Sequence, residues 1–135
     1  MKKNKGVLLI DFDGTVVEHK FPKIGKPLPQ AFEVLKELQK EGWKLILWTC
    51  RENVGYLINK QFLKDAVDFC KDNGLEFDEI NSPLLEFDFR AGYDCLMRKP
   101  HASFIIDDSS IGGFPGWEVV REILINRKQV TWQLN

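Results

Sequence analysis

Three short apolar runs in this chain each stop abruptly at a polar cluster, and that repeated pattern constrains the fold more than any other feature. Residues 7–10 (Val-Leu-Leu-Ile) run into Asp11-Phe12-Asp13-Gly14-Thr15. Residues 44–48 (Lys-Leu-Ile-Leu-Trp) run into Thr49-Cys50-Arg51, and residues 103–106 (Ser-Phe-Ile-Ile) into Asp107-Asp108-Ser109-Ser110. Short, nearly continuous apolar runs suit strands buried on both faces, as in a parallel sheet. A further short strand is expected over 77–80. Between the runs, Ala31, Phe32, Leu35 and Leu38 recur at helical spacing, with Pro29 suited to the first turn and Gly42 to a C-terminal stop. Ile58, Phe62, Ala66, Val67 and Cys70 mark a second helix over about 54–73, stopped by Gly74. A last helix is expected after Pro115, over about 117–125. Residues 16–29, which hold Pro22, Gly25, Pro27 and Pro29, read as a loop or small hairpin. Residues 81–100 read as a loop with a broken helix, and the weak alternation over 129–134 as an edge strand.

Strands alternating with helices predict the α/β class, with a parallel sheet covered by helices on both faces. In such sheets ligands bind beyond the carboxyl ends of the strands. The three polar clusters then meet at one rim, where Asp11, Asp13, Asp107 and Asp108 share a crevice with Thr49. Carboxylates held that close repel one another, so a divalent cation is expected among them. Oxygen-only ligation favours Mg2+ over zinc. Asp11 and Asp13 are two apart, which puts them on one face of an extended chain, and a bend beginning at Gly14 fans them around one ion. One carboxylate is then free to attack phosphorus while the other handles protons, with metal neutralising the phosphoryl oxygens.

The bulk composition narrows the partners. A length of 135 residues fits one domain with a core large enough to dispense with disulfides. Lys plus Arg number 19 against 20 Asp plus Glu, and a formal charge of -1 gives no bulk attraction to nucleic acid or anionic membrane. Cys50, Cys70 and Cys95 are odd in number and widely spaced, which suits reduced thiols in a cytoplasmic protein rather than a zinc site or a disulfide framework. The basic start followed by residues 7–10 imitates a signal peptide. Asp11 and Asp13 cut the apolar run too early for one, and no segment is expected to span a membrane.

Asp11-Phe12-Asp13-Gly14-Thr15 after an apolar strand resembles the first motif of haloacid dehalogenase-type phosphotransferases. Thr49 after residues 45–48 looks like the second motif of that family, Lys99 like its basic third and Asp107-Asp108 like its acidic fourth. The resemblance spans roughly residues 7–113 and is greatest to small bacterial and phage members that carry little or no cap. It implies a Rossmann-like three-layer sandwich and a phosphomonoester hydrolase. Asp11 would form an aspartyl-phosphate, and Asp13 would protonate the leaving group and later activate water. Thr49 would hydrogen-bond the phosphoryl oxygens, and Lys99 would offset charge. Magnesium would be held by Asp11, the backbone carbonyl of Asp13, and Asp107 with Asp108, of which Asp108 is the favoured direct ligand. Arg98 competes with Lys99 for the basic role. Caps in this family are inserted after the first motif or between the second and third; neither interval leaves room for one, so a capless form is expected.

Other residues are assigned more modestly. His19, Lys20, Lys23 and Lys26 read as solvated surface rather than a guide for the leaving group, and Arg51 is open to substrate contact. Cys50 is expected to be buried and inert. Trp43, Trp48, Trp117 and Trp132 read as packing residues, and Gly112-Gly113 as a turn. The substrate is some phosphorylated compound; an open site leaves room for a neighbouring copy to act as lid, so a homo-oligomer is allowed. The competing reading is a phosphoryl-accepting signalling domain or a phosphate-binding module without efficient turnover. Signalling receivers use similar residues in a different chain order, with the acidic pair first.

Overall fold

The computed structural model describes residues 4–54, 60–82 and 101–126. Strand β1 (Gly6–Ile10) lies at the centre. It pairs in parallel with β2 (Trp43–Leu47) on one side and with β6 (Phe104–Ile106) on the other. Strand β5 (Glu79–Ile80) adds to β2, also in parallel, so the order is β5-β2-β1-β6. The sheet is flanked by helices, in an α/β arrangement consistent with a Rossmann-like three-layer sandwich. In β1 and β2 the apolar runs are covered on both faces, whereas in β6 Ile106 is buried and Phe104 and Ile105 are exposed. Val7 to Ile10 are all buried, with Leu8 and Ile10 in the main core and Val7 and Leu9 in a second cluster with Ile46.

Helix α1 (Ala31–Glu41) turns Ala31, Val34, Leu35 and Leu38 into the main core. Gly42 ends it at φ 105°, donating its N–H to the carbonyls of Gln39 and Leu38. A side chain would strain that backbone, so the residue expected to stop the helix does so for the expected reason. Pro29 does not enter the first turn: Gln30 at φ 65° is the N-cap, and the helix begins one residue beyond it. Helix α2 (Phe62–Asp72) contributes Ala66 and Cys70, and α3 (Trp117–Leu124) contributes Trp117 and Val120. Arg121 of α3 pairs with Glu37 of α1 at 2.7 Å, which joins the two helices.

The expected second helix is too long at its start. Asn53 and Val54 form β3 and pair antiparallel with β4 (Lys60–Gln61), so their backbone groups are committed to a ladder before the helix begins. Residues 16–18 and 26–28 pair as a small hairpin, through Glu18 N–H to the Lys26 carbonyl at 2.8 Å and Leu28 N–H to the Val16 carbonyl at 2.9 Å. Gly112 and Gly113 both take positive φ, and Gly113 N–H closes a turn on the Ser110 carbonyl. Among the described residues no helix is long and apolar enough to cross a membrane. The tail expected as an edge strand, together with Cys95, Arg98, Lys99 and Trp132, lies outside the described residues.

Candidate active site

The parallel sheet delivers three strand ends to one place. Asp11 follows β1 directly and donates its N–H to the Ile106 carbonyl of β6 at 2.9 Å, which brings it beside Asp107 and Asp108. Carboxylate oxygens of Asp11, Asp107 and Asp108 lie within 4.8 Å of one another, a group able to hold a metal ion. Asp13, Thr49, Cys50, Arg51, Trp48 and Asn81 line the same crevice, of about 830 Å³, with His19 and Phe21 on its wall. Asp11, Asp13, Thr49, Asp107 and Asp108 are therefore brought together; Lys99 and Arg98 lie outside the described residues.

The chain after Asp11 is wound tightly. The Phe12 carbonyl accepts from the N–H groups of Thr15 and Val16 at 3.2 and 2.9 Å, and Gly14 N–H donates to the Val17 carbonyl at 2.8 Å. Trp117 Nε1 donates to the Thr15 carbonyl at 2.7 Å, which fastens the turn to α3. The buried Thr15 hydroxyl donates to Asp11 Oδ2 at 3.1 Å. Burial, and next the charge of Asp107, push the Asp11 carboxyl up to about 7 against this Thr15 hydrogen bond. A divalent ion held by these carboxylates would oppose that rise.

The end of β2 is organised by a residue that the sequence did not single out. Asn81 follows β5, its Oδ1 accepts from Thr49 N–H at 2.8 Å, and Thr49 Oγ1 in turn accepts from Arg51 N–H at 3.2 Å. Asn81 sits at φ 50°, and Asn after a short strand is the one local signal that marks it. Asp107 Oδ1 accepts from Ser109 N–H at 2.8 Å, so its side chain also braces its own turn. Cys50 is exposed on the crevice wall, not buried, because it lies past the end of β2 where the chain emerges at the rim. Cys70 is the buried thiol, and burial pushes it up to about 12. Lys20, Lys23 and Lys26 are exposed and none of them lines the crevice, in keeping with a solvated loop. Trp48 does line it, beyond its expected packing role.

No family model matches the chain. A solved structure of a conserved protein from Bacteroides thetaiotaomicron is 37% identical, with a TM-score of 0.76, over 93% of this chain and 94% of that one. This chain belongs to the same family as that protein. A second relative, from Mycoplasma pneumoniae and described as "Putative phosphatase", is 34% identical over 74 residues, which is 55% of this chain. The match spans 25% of that longer protein.

Proposed function

We propose that the chain is a magnesium-dependent phosphomonoester hydrolase of the haloacid dehalogenase type, acting through an aspartyl-phosphate on Asp11. The observation that carries this reading is the group of Asp11, Asp107 and Asp108, with oxygens within 4.8 Å of one another at the carboxyl ends of two adjacent parallel strands. The similarity to a protein described as a phosphatase supports it. The donor set is all oxygen, which fits a hard cation such as Mg2+. Asp11, Asp107, Asp108 and the backbone carbonyl of Asp13 are the groups that would hold it. When bound, the ion neutralises charge on phosphoryl oxygens and favours ionised Asp11.

The chain's own groups then divide the work. An Asp11 carboxylate oxygen attacks phosphorus, and the bond from phosphorus to the leaving oxygen breaks as the new one forms. Asp13 gives a proton to that leaving oxygen. Asp13 next takes a proton from water, which attacks phosphorus and releases inorganic phosphate and free Asp11. Thr49 hydrogen-bonds the phosphoryl oxygens, and Lys99 offsets their charge. The chain acts as one capless domain on a phosphorylated substrate that reaches an open crevice. The rival reading, a phosphoryl-accepting module, keeps its phosphoenzyme where a hydrolase discharges it.

Metal-stripped protein is assayed on p-nitrophenyl phosphate. Magnesium restores turnover, calcium does so poorly because its looser coordination disturbs in-line geometry, and Asp11→Asn stays at background. Full activity in excess chelator, or in Asp11→Asn, overturns the assignment.

A further inference from the structure

Arg51 is 1% exposed, yet it carries a charge and stands at the wall of the crevice. Its side chain makes five hydrogen bonds, the whole donor complement of a guanidinium. Nε donates to Asp13 Oδ2 at 2.7 Å and Nη2 to Asp13 Oδ1 at 2.8 Å, a bidentate pair. Nη2 also donates to the Lys23 carbonyl at 3.1 Å, and Nη1 to the carbonyls of Pro22 at 3.4 Å and Phe62 at 3.2 Å. Cζ lies 5.1 Å from the ring centroids of both Phe12 and Phe21.

Two consequences follow from this arrangement. No N–H remains to bind a phosphoryl oxygen, so direct substrate contact is closed to Arg51 as it stands here. The plane of the guanidinium is also fixed from outside the pair, by three carbonyls and two rings. The two N–H groups that face Asp13 therefore dictate the plane and direction of its carboxylate. Arg51 occupies two of the roughly four lone-pair sites on that carboxylate, which leaves the others for the crevice, where the Asp13 side chain is 12% exposed. A buried ion pair gives little stability that apolar residues of equal volume would not, so folding alone does not account for it.

We propose that Arg51 is a positioning residue for Asp13, holding its carboxylate in register with the leaving-group oxygen by a bidentate clamp that is itself anchored on the 22–23 loop and the start of α2. The inference rests on the reading of Asp13 as the proton-transfer group. Lysine keeps the charge but lacks the planar fork, so Arg51→Lys leaves Asp13 charged-paired and misaligned.

The test compares kcat/KM for a series of phosphate monoesters, from alkyl phosphates to p-nitrophenyl phosphate, in wild type, Arg51→Lys, Asp13→Asn and the double variant. Misplacement of a catalytic group by about 1 Å costs on the order of 100-fold. Arg51→Lys should lose about that on alkyl phosphates, which need protonation, and less than about threefold on p-nitrophenyl phosphate, which does not. The double variant should be no slower than Asp13→Asn alone, because the clamp then has nothing left to aim. Equal losses across the series, or losses that add to those of Asp13→Asn, overturn the proposal while leaving the hydrolase reading intact. A wild type without turnover on any ester overturns the hydrolase reading, and the proposal with it. Should Arg51→Lys not fold, Phe21→Leu gives the same comparison, since that ring is 47% exposed and packs on Arg51. It should slow alkyl phosphates by roughly threefold, the scale of one exposed cation–π contact, and spare p-nitrophenyl phosphate; an unchanged or uniform rate overturns the proposal.

Discussion

A Cβ built on Gly14 would lie 2.1 Å from Oδ2 of Asp108. With Asp108 in this position, the turn after β1 meets the acidic end of β6 where a side chain is missing. Gly14 also takes φ 86°, a backbone that other residues adopt at a cost. Both faults fall on the carboxylate group that would hold the metal. Gly14→Ala should therefore lower stability by about 1–3 kcal/mol, the scale of one residue held in a disfavoured backbone region, as read by urea unfolding. It should also displace Asp108 and so abolish the rise in Tm that magnesium should give wild type. An Ala variant that still gains the full magnesium shift would detach Gly14 from the metal group.

The raised Asp11 carboxyl gives a pH dependence with a definite sign. In the folded, cation-free protein Asp11 keeps its proton up to about pH 7, against 3.8 for the ordinary value. The folded state therefore binds more protons across this window than the unfolded state. The Asp11 contribution to stability is greatest below the lower value and is lost as pH rises through about 7. Magnesium held by Asp11 should oppose that loss, because it favours the ionised form. In chelator, the Tm of wild type relative to Asp11→Asn should fall from pH 4 towards pH 7, and the Tm gain from magnesium should grow over the same range. Magnesium binding near pH 6 should release protons, seen as a heat that depends on the buffer. A magnesium affinity that is flat from pH 5 to 8 contradicts this account.

Much of the candidate site was legible because the strand runs end at the crevice. Residues 7–10 are buried throughout and sit in mid-sheet, so the rule that parallel sheets bind ligands at their carboxyl ends led straight to Asp11, Thr49 and Asp107. Gly42 could be read because one local backbone angle decides it. The start of α2 could not. The helical spacing of Ile58 with Phe62 carries on across a segment where 53–54 and 60–61 pair as a ribbon, and two-residue strands leave no alternation to find. The clamp between Arg51 and Asp13 joins residues 38 apart, and a buried charge leaves no periodic trace in the chain. Asn81 was missed for a similar reason, since its role is a single side-chain amide bonded to Thr49, 32 residues away.

The role proposed for Lys99 yields a prediction that needs only the sequence. Lys99 precedes the apolar run at 103–106 by a spacing that resembles the haloacid dehalogenase type, with Arg98 beside it. A cation near Asp11 favours its ionised form and offsets phosphoryl charge. Lys99→Ala should lower kcat by roughly 100-fold, on the scale of a lost electrostatic stabiliser, and Arg98→Ala by far less. Steady-state assays at saturating magnesium decide between them, and the opposite order moves the role to Arg98.

Asp11 and Asp13 stand two residues apart in different surroundings: Asp11 accepts from Thr15 and lies beside Asp107 and Asp108, and Asp13 is paired with Arg51. Their proposed roles should separate accordingly. Asp13→Asn keeps the shape of the side chain and the backbone carbonyl; it loses proton transfer, usually worth about 10²–10⁴-fold, and one of the two oxygens that accept from Arg51. With p-nitrophenyl phosphate the first step needs little protonation, so Asp11 should still be phosphorylated. The second step needs water to be activated, and it should now be slow. A phosphoenzyme should therefore accumulate in Asp13→Asn, visible as one added phosphoryl group by intact-mass analysis after rapid quench, with a burst of nitrophenolate close to one per protein. The added mass should be absent from the Asp11→Asn, Asp13→Asn double variant. A burst without an adduct, or an adduct that survives Asp11→Asn, assigns the nucleophile elsewhere.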